Sequence, residues 1–402
     1  MNQIKISDGS VTTPLGFQAC GIRCGIKQQG SDLALIVSEV PATVAALFTS
    51  NRMKAAPILV SQDHVRAGMA RAIVINSGNA NACTGPQGLA DARTMTQIAG
   101  RELHIDPSHV LVASTGVIGH YLPMELIEAG IVQACHQLSP TGGIAAAQAI
   151  MTTDTRPKHF AVEFDIDGHR CHIGAIAKGS GMIHPRLATM IAVFTTDVAI
   201  DHQMLHHALT AAAEDTINAL TIDGETSTND VVFILANGLA KNQPITTKGP
   251  GYHQFAAALK AVAQAITREL AADGEGATKL VTVTVEQAAS SDEAFRAAKA
   301  IANSMLVKTA IFGRDPNWGR VISAVGASGV TINPDRIAIR FAGIAVAENG
   351  AATQYDLAAM KTALQQPEIA ISVALGVGIA SATVYTCDLT YDYIRINAEY
   401  HT

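Results

Sequence analysis

The sequence predicts an α/β fold in which mixed sheets pack with helices, because apolar runs of strand length alternate with helical patterns in both halves of the chain. The strand-like runs end in polar or turn residues, and their continuous apolar character indicates strands that are buried on both faces. We expect strands at 32–40, 71–78, 109–114, 190–200, 280–285, 306–312, 336–341 and 369–373.

The helical patterns show apolar residues that recur three and four positions apart, and their alanine-rich faces indicate close packing against the sheets. We expect helices at 87–103, 123–137, 201–220, 253–272 and 292–305. No long linker or short-period repeat divides the chain. The two halves of the sequence are therefore expected to share a core.

Composition excludes several classes of partner. The chain has 402 residues, of which 48% are hydrophobic and 15% are charged, which is ample material for a core. Its net charge of −6 disfavours nucleic acid, because phosphate binding needs clustered Lys and Arg. The sequence has neither an apolar run of membrane-spanning length nor the pattern of a secretory signal. We therefore expect a cytoplasmic protein without a membrane partner.

The cysteines are too scattered in a chain of this size to form a disulfide framework, and we expect reduced thiols. Cys20 and Cys24 are close in sequence, but no second Cys or His pair at zinc-like spacing accompanies them. We expect these two residues to pack in the core, and we assign no metal site.

The segment 178–190, KGSGMIHPRLATM, sets glycines and a proline before Ala188 and Thr189, which open an apolar run. If the bond between these two residues breaks, Thr189 carries a hydroxyl nucleophile and an α-amine base. Such an amine titrates near about 7.7 to 8.0, so it can accept the hydroxyl proton close to neutrality. Local spacing alone favours the alternative that Thr189 begins a buried strand, because threonine is common in strands.

Seven further segments carry unusual local chemistry along the chain. They are NSGNANACTG (76–85), STGVIG (114–119), MTTDTRPK (151–158), DGETSTND (223–230), DGEGATK (273–279), FGRDPNWGR (312–320) and INAEYHT (396–402). Together with the segment at 178–190, and in this order, they resemble the ornithine acetyltransferase family, the bifunctional glutamate N-acetyltransferases of arginine biosynthesis. The resemblance spans essentially the full length. His184, Arg186 and Leu187 stand where that family more typically has Ala, Asn and Met, which bears on the efficiency of maturation and leaves the nucleophile unchanged.

The resemblance implies an oxyanion hole formed by the Thr115 hydroxyl and the Gly116 N–H. These groups follow a predicted strand and can point two donors at one spot, although the same motif in isolation is typical of an ordinary turn. The resemblance also implies a set of substrate contacts: Thr152, Lys178, Thr189, Glu275, Asn397 and Thr402. Thr153, beside Thr152, leaves the register of that contact open by one residue.

The charges of two of these residues suit amino-acid substrates. A buried Lys178 would present a positive charge to a carboxylate in a site kept away from water, whereas in isolation it would be read as a surface lysine. Glu275 would pair with ammonium groups of ornithine, with Gly274 and Gly276 allowing close backbone approach. The alternative for Glu275 is an acid in an exposed loop.

The predicted function is therefore acetyl transfer from N-acetylornithine to glutamate through an ester on Thr189, without a cofactor. Cleavage between Ala188 and Thr189 would give an α subunit of residues 1–188 and a β subunit of residues 189–402. The fragments are expected to associate as a heterotetramer of two α and two β subunits. Acetyl-coenzyme A as a second donor stays open, as do two alternatives: a self-cleaving amidase or aminopeptidase, and a non-catalytic binding protein.

Overall fold

The computed structural model describes residues 4–183 and 190–399, which form two mixed β-sheets packed with helices and confirm the predicted α/β class. The strands are β1 (Ile6–Ser7), β2 (Phe17–Ile22), β3 (Leu33–Phe48), β4 (Met69–Asn79), β5 (Val110–Val117), β6 (Lys158–Ile166), β7 (His169–Lys178), β8 (Ile191–Thr196), β9 (Val231–Ala236), β10 (Leu280–Ala288), β11 (Ala338–Phe341), β12 (Ile344–Glu348), β13 (Ala351–Ala352), β14 (Glu368–Ala374) and β15 (Ala380–Cys387). The α-helices are α1 (Ala56–Val65), α2 (Gly85–Leu103), α3 (Met124–His136), α4 (Gly143–Ala149), α5 (His202–Glu214), α6 (Pro250–Ala272), α7 (Ser291–Asn303), α8 (Met305–Phe312), α9 (Trp318–Ala327), α10 (Leu357–Ala363) and α11 (Tyr391–Glu399).

The larger sheet has the order β1-β6-β7-β8-β9-β3-β4-β5, and β2 pairs with β3 beside this path. Strands β8 and β9 are parallel, as are β4 and β5, and the other neighbours are antiparallel. Helices α5 and α6 cover one part of the sheet, and α1, α2 and α3 cover another. The opposite face packs on α4 and the N-terminal loops, so the central strands are buried on both faces, as their apolar runs predicted.

The smaller sheet has the order β13-β12-β11-β14-β10-β15 and packs with helices α7 to α10 around its own apolar cluster. It meets the larger sheet through α6 and β15. Tyr385 on β15 is buried with the α6 side chains, and Gln264 of α6 donates a hydrogen bond to its hydroxyl over 3.0 Å. The smaller sheet therefore supports the same helix that covers the larger one.

The strands on either side of residues 184–189 are neighbours in one sheet. Strand β7 runs antiparallel to β8, and Lys178 lies opposite Ile191 in this pairing. Strand β3, from the first half of the chain, pairs with β9 from the second half. Strands from residues 4–183 and from residues 190–399 are therefore interleaved in the larger sheet.

The predicted strand at 306–312 is wrong, because these residues form helix α8. The short apolar run does not distinguish a buried strand from a buried helix by its period. Ser304 decides the outcome by capping the helix, since its hydroxyl accepts a hydrogen bond from the backbone N–H of Val307 over 3.3 Å. The sequence analysis also missed the hairpin of β6 and β7 and the strands β2, β9, β12 and β15.

Cys20 packs in the core as predicted. It is buried under α3, and its thiol donates to the carbonyl oxygen of Ala134. Burial raises the pKa of the Cys20 thiol to about 11 and that of the half-buried Cys24 to about 12. Both thiols are therefore protonated near neutral pH.

Across residues 4–183 and 190–399, none of the helices combines the length and the apolar character that crossing a membrane requires.

A buried lysine ties the smaller sheet to the loop that follows α5. The Lys308 ammonium donates to the carbonyl oxygens of Ile222 and Cys387, each over 2.7 Å, and to the Thr386 hydroxyl over 3.0 Å. Only 5% of this residue is exposed, so its acceptors have no access to bulk water.

We predict that Lys308→Met lowers the free energy of unfolding by about 3 kcal/mol, because each buried acceptor left without a donor costs about 1–3 kcal/mol. Urea unfolding followed by circular dichroism measures the change. Lys361→Met, the same replacement at an exposed position on α10, should change the free energy by less than about 0.5 kcal/mol. Equal effects of the two replacements would contradict the structural role of Lys308.

Candidate active site

A cavity lies at one end of the larger sheet and brings together predicted site residues that are far apart in sequence. Its lining includes every one of those residues that the structure describes: Thr115, Gly116, Thr152, Lys178, Glu275 and Asn397. Ala188, Thr189 and Thr402 lie outside the described residues. Met190 and Ile191, the first described residues after Thr189, also line the cavity.

Thr115 and Gly116 lie where the pairing of β4 and β5 becomes irregular. The register shifts at Asn79, which is opposite both Thr115 and Val117. Gly116 has a φ of +129°, and a Cβ atom there would lie 2.3 Å from the carbonyl carbon of Gly78. Only glycine fits this close approach of two backbones. The segment 76–85 thus forms the end of β4 and the loop beside the cavity.

Lys178 is the last residue of β7, and its ammonium donates to the Thr115 hydroxyl oxygen over 3.3 Å. Because that oxygen accepts from the lysine, the hydroxyl hydrogen of Thr115 is left to donate elsewhere. Lys178 is buried, and burial lowers its pKa, with the charges of Asp154, Asp230 and Glu275 opposing the effect. The cavity wall therefore contains a poorly hydrated cation.

Asp154, which the sequence analysis did not assign, anchors the loop below Lys178. Its carboxylate accepts from the Lys158 ammonium over 2.6 Å, from the Gly179 N–H over 2.7 Å and from the Thr152 N–H over 3.0 Å. Burial alone would raise the pKa of Asp154, but the charges of Lys158 and Lys178 and the Gly179 N–H outweigh it, and the pKa falls to about 2. The carboxylate is ionised at neutral pH and fixes Thr152 against the end of β7.

Lys158 links this carboxylate to a second one. Its ammonium also contacts Asp273 over 2.5 Å, and all three side chains are almost completely buried. Asp273 accepts in turn from the backbone N–H of Thr155. Because removing one member of a buried ion pair is strongly destabilising, this triad fixes the loop before β6 to the loop after α6.

The hydroxyls of Thr152 and Thr153 differ in their partners. Thr153 shares a 2.6 Å hydrogen bond with the Ser180 hydroxyl. The Thr152 hydroxyl has no hydrogen-bond partner among the residues that the structure describes. Both residues line the cavity. Because its hydroxyl is not already bonded, Thr152 is the better candidate for a substrate contact, and this role stays a prediction.

Glu275 and Asn397 are in direct contact across the cavity wall. The Asn397 amide of α11 donates to the Glu275 carboxylate over 2.7 Å, and the Glu275 N–H donates to the Ser180 carbonyl oxygen over 2.8 Å. A Cβ atom on Gly276 would lie 2.6 Å from the backbone nitrogen of Tyr393. The glycine therefore lets α11 approach closely, as the sequence predicted for this loop.

The segment 223–230, which received no role from sequence, supplies six further wall residues, and three of them carry acidic or amide groups that are described next. The Asp223 carboxylate accepts from the N–H groups of Met182 and Ile183 over 2.6 and 2.9 Å. The Asn229 amide donates to the carbonyl oxygens of Ala80 and Ser114 over 2.6 and 2.8 Å. Asp230 is buried in the lining. Their acidic and amide side chains were visible in the motif, but their contacts depend on packing between distant segments.

The arrangement suits chemistry on a small molecule that carries both a carboxylate and an amine. Lys178 offers an ammonium group, Glu275 offers a carboxylate, and Thr115 with Gly116 offers hydrogen-bond donors in the same cavity. Within the described part of the chain, no group of three or more His, Cys, Asp and Glu side chains is placed to hold a metal ion.

Comparisons with known proteins agree over almost the whole chain. The family model described as the ArgJ family matches residues 18–402. The arginine biosynthesis bifunctional protein ArgJ of Symbiobacterium thermophilum is 47% identical over 98% of this chain and 99% of its own length. The protein of the same name from Bacillus anthracis is 44% identical over 99% and 98%.

Among solved structures, the ornithine acetyltransferase of Mycobacterium tuberculosis complexed with ornithine is 40% identical. The match covers 46% of this chain and all of that chain, with a TM-score of 0.44. The family model and the two full-length relatives confirm the resemblance that the eight segments indicated. The chain belongs to the ArgJ family.

Proposed function

We propose that this chain transfers an acetyl group from N-acetylornithine to glutamate through an acetyl ester on Thr189, after cleavage between Ala188 and Thr189. As a member of the ArgJ family the chain is an acyltransferase of arginine biosynthesis, and the identities of the nucleophile and of the site residues are the proposal. The observation that carries it is that Thr115, Gly116, Lys178 and Glu275 line one cavity together with Met190, the residue that follows Thr189.

The charges of the cavity match both proposed substrates. N-Acetylornithine and glutamate each carry an α-carboxylate, which the buried ammonium of Lys178 would bind more strongly than an exposed one could. Glu275 would accept from the side-chain ammonium of the ornithine half. Asn397 already donates to one oxygen of Glu275, so it orients the carboxylate and ties α11 to substrate binding. Thr402, also proposed as a substrate contact, lies outside the described residues. Thr152 is the remaining proposed substrate contact.

The reaction follows from the two groups that cleavage places on Thr189. The α-amine takes the hydroxyl proton as the oxygen attacks the acetyl carbonyl, and the Thr115 hydroxyl and Gly116 N–H stabilise the oxyanion. Ornithine leaves with that proton, and the acetyl ester remains on the enzyme. The amine of glutamate then attacks the ester and takes the acetyl group. The amide bond of N-acetylglutamate replaces the amide bond of N-acetylornithine. Because the two bonds are of similar energy, the reaction needs no cofactor.

Maturation would use the same oxyanion donors. Thr189 attacks the carbonyl of Ala188 in the uncut chain, and water then resolves the ester to give subunits 1–188 and 189–402. The hydrogen bonds of β7 to β8 and of β3 to β9 cross between these fragments, which supports a stable α–β pair. Two such pairs are proposed to form the heterotetramer. Acetyl-coenzyme A is proposed as a second acetyl donor.

The second candidate is a hydrolase of the same self-cleaving type, in which water instead of glutamate receives the acetyl group. The cavity favours transfer, because its cation and carboxylate suit an amino-acid acceptor. Acetate release compared with N-acetylglutamate formation, measured on one sample of enzyme with N-acetylornithine, distinguishes the two.

We predict that Thr189→Ala leaves one band of 402 residues on a denaturing gel and abolishes acetyl transfer, because the variant lacks the hydroxyl that attacks in both reactions. The natural chain should give two bands and form N-acetylglutamate. Two bands together with full transfer in the variant would refute Thr189 as the nucleophile.

We predict that Thr115→Val lowers kcat about 100- to 1000-fold, the usual effect of losing one oxyanion donor, with little change in the KM for N-acetylornithine. The rate is normalised to the cleaved fraction, because the same donor would serve maturation. Thr362→Val, the same replacement on the exposed surface of α10, is the control and should retain the natural rate. An unchanged kcat in cleaved Thr115→Val would exclude this residue from the oxyanion hole.

A further inference from the structure

The loop between β2 and β3 reaches the wall of the cavity through the side chain of Lys27. The Lys27 ammonium donates a hydrogen bond to the backbone carbonyl oxygen of Met151 over 3.0 Å. Met151 directly precedes Thr152, the proposed substrate contact that lines the cavity. Lys27 itself does not line the cavity, so any effect that it has on a substrate must pass through the residues that it contacts.

The peptide group that joins Met151 to Thr152 is held at both ends by charged side chains. Its carbonyl oxygen accepts from the Lys27 ammonium, and its N–H donates to the Asp154 carboxylate over 3.0 Å. A cation at the oxygen and an anion at the N–H match the dipole of a peptide group, and hydrogen bonds to charged groups are stronger than neutral ones. The two side chains therefore fix the orientation of this peptide group.

The orientation of the peptide group depends on these two contacts, because the group lies in the loop between α4 and β6 and not in a helix or a strand. Among the residues that the structure describes, Lys27 is the only hydrogen-bond donor to its oxygen, and Asp154 is the only acceptor of its N–H. Without Lys27 the peptide group would be free to rotate. Thr152 would then sample several directions, and a substrate would have to order it on binding.

Lys27 is itself held in place along its length. The Asp32 carboxylate accepts from the backbone N–H of Lys27 over 3.0 Å and from two further N–H groups of the same loop. The stem of the side chain packs against Gly78, where a Cβ atom would lie 2.8 Å from the Lys27 Cγ atom. Burial lowers the pKa of Lys27, and the charges of Asp32 and Asp154 oppose this effect. The ammonium therefore has a defined position beside the cavity wall.

We propose that Lys27 is a positioning residue for acetyl transfer. Together with Asp154 it fixes the peptide group before Thr152, so that the Thr152 hydroxyl, which has no hydrogen-bond partner in the described part of the chain, is presented to the substrate. Lys27 exchanges no proton and forms no bond during the reaction. The inference rests on the proposed function, in which Thr152 is a substrate contact.

The test is a double-mutant cycle on the KM for N-acetylornithine. Lys27→Met keeps the stem that packs on Gly78 and removes the donor, and Thr152→Val removes the hydroxyl. Each single variant should raise KM about 5-fold, the effect of losing one ordinary hydrogen bond, and change kcat less than about 2-fold, as expected for a contact made equally in ground and transition states. The double variant should also raise KM only about 5-fold, because residues that act through one contact are not additive.

Lys27→Arg is the rescue variant, because a guanidinium group can donate to the same carbonyl oxygen, and its KM should lie within about 2-fold of the natural value. Lys361→Met and Thr362→Val repeat the two replacements on the exposed surface of α10 and should change neither KM nor kcat. All variants are compared at the same cleaved fraction, and their melting temperatures are measured beside the kinetics.

Single effects that multiply to about 25-fold in the double variant would mean that Lys27 acts independently of Thr152, which overturns the inference and leaves acetyl transfer intact. An unchanged KM in folded Lys27→Met or in Thr152→Val overturns it as well. If Lys27→Met does not fold, the same cycle with Lys27→Gln, whose amide nitrogen is one bond closer to the backbone, decides between the same outcomes. A natural chain that transfers no acetyl group from N-acetylornithine overturns the proposed function and this inference together.

Discussion

The antiparallel pairing of β7 with β8 is the constraint on which the rest of the site depends. It places Lys178, at the end of one strand, opposite Ile191 near the start of the next. The chain between them must therefore leave and re-enter the sheet at the same edge of the cavity. Because both strands are also bonded to other neighbours, a break between them would leave each end in place. The strand pairing of β7 and β8 therefore does not depend on the covalent link between them.

The walls of the cavity depend on buried charges that compensate one another. Lys158 joins Asp154 to Asp273, and Asp154 in turn faces Lys178. Lys178 loses hydration through burial and keeps its position through its contact with Thr115. Such networks are costly to bury and rigid once satisfied. The rigidity holds donors and charges in fixed positions, which is how a protein stabilises charge that develops during acyl transfer.

The sequence predicted the α/β class and most central elements because long apolar runs and helical periods are local signals. It failed at 306–312, where a capping serine and the buried contacts of Lys308 outweigh the apolar run. It also missed the β6–β7 hairpin, because charged and polar residues interrupt the apolar residues of both strands. The site residues were predicted from the resemblance of whole motifs to one family. Those that the structure describes all line the cavity, which is consistent with the prediction. Asp154 and Asp223 lay in recognised motifs, but their contacts depend on burial and on partners from other segments, which no local pattern contains.

The proposed chemistry depends on one event, the conversion of a backbone amide into an amine beside the hydroxyl of Thr189. The most direct measurement is the intact mass of the natural protein after purification, taken together with acetyl transfer from N-acetylornithine to glutamate on the same sample. We predict two polypeptides, residues 1–188 and residues 189–402, that elute together under native conditions from a sample that forms N-acetylglutamate. An active sample that contains only the continuous chain of 402 residues would contradict the account.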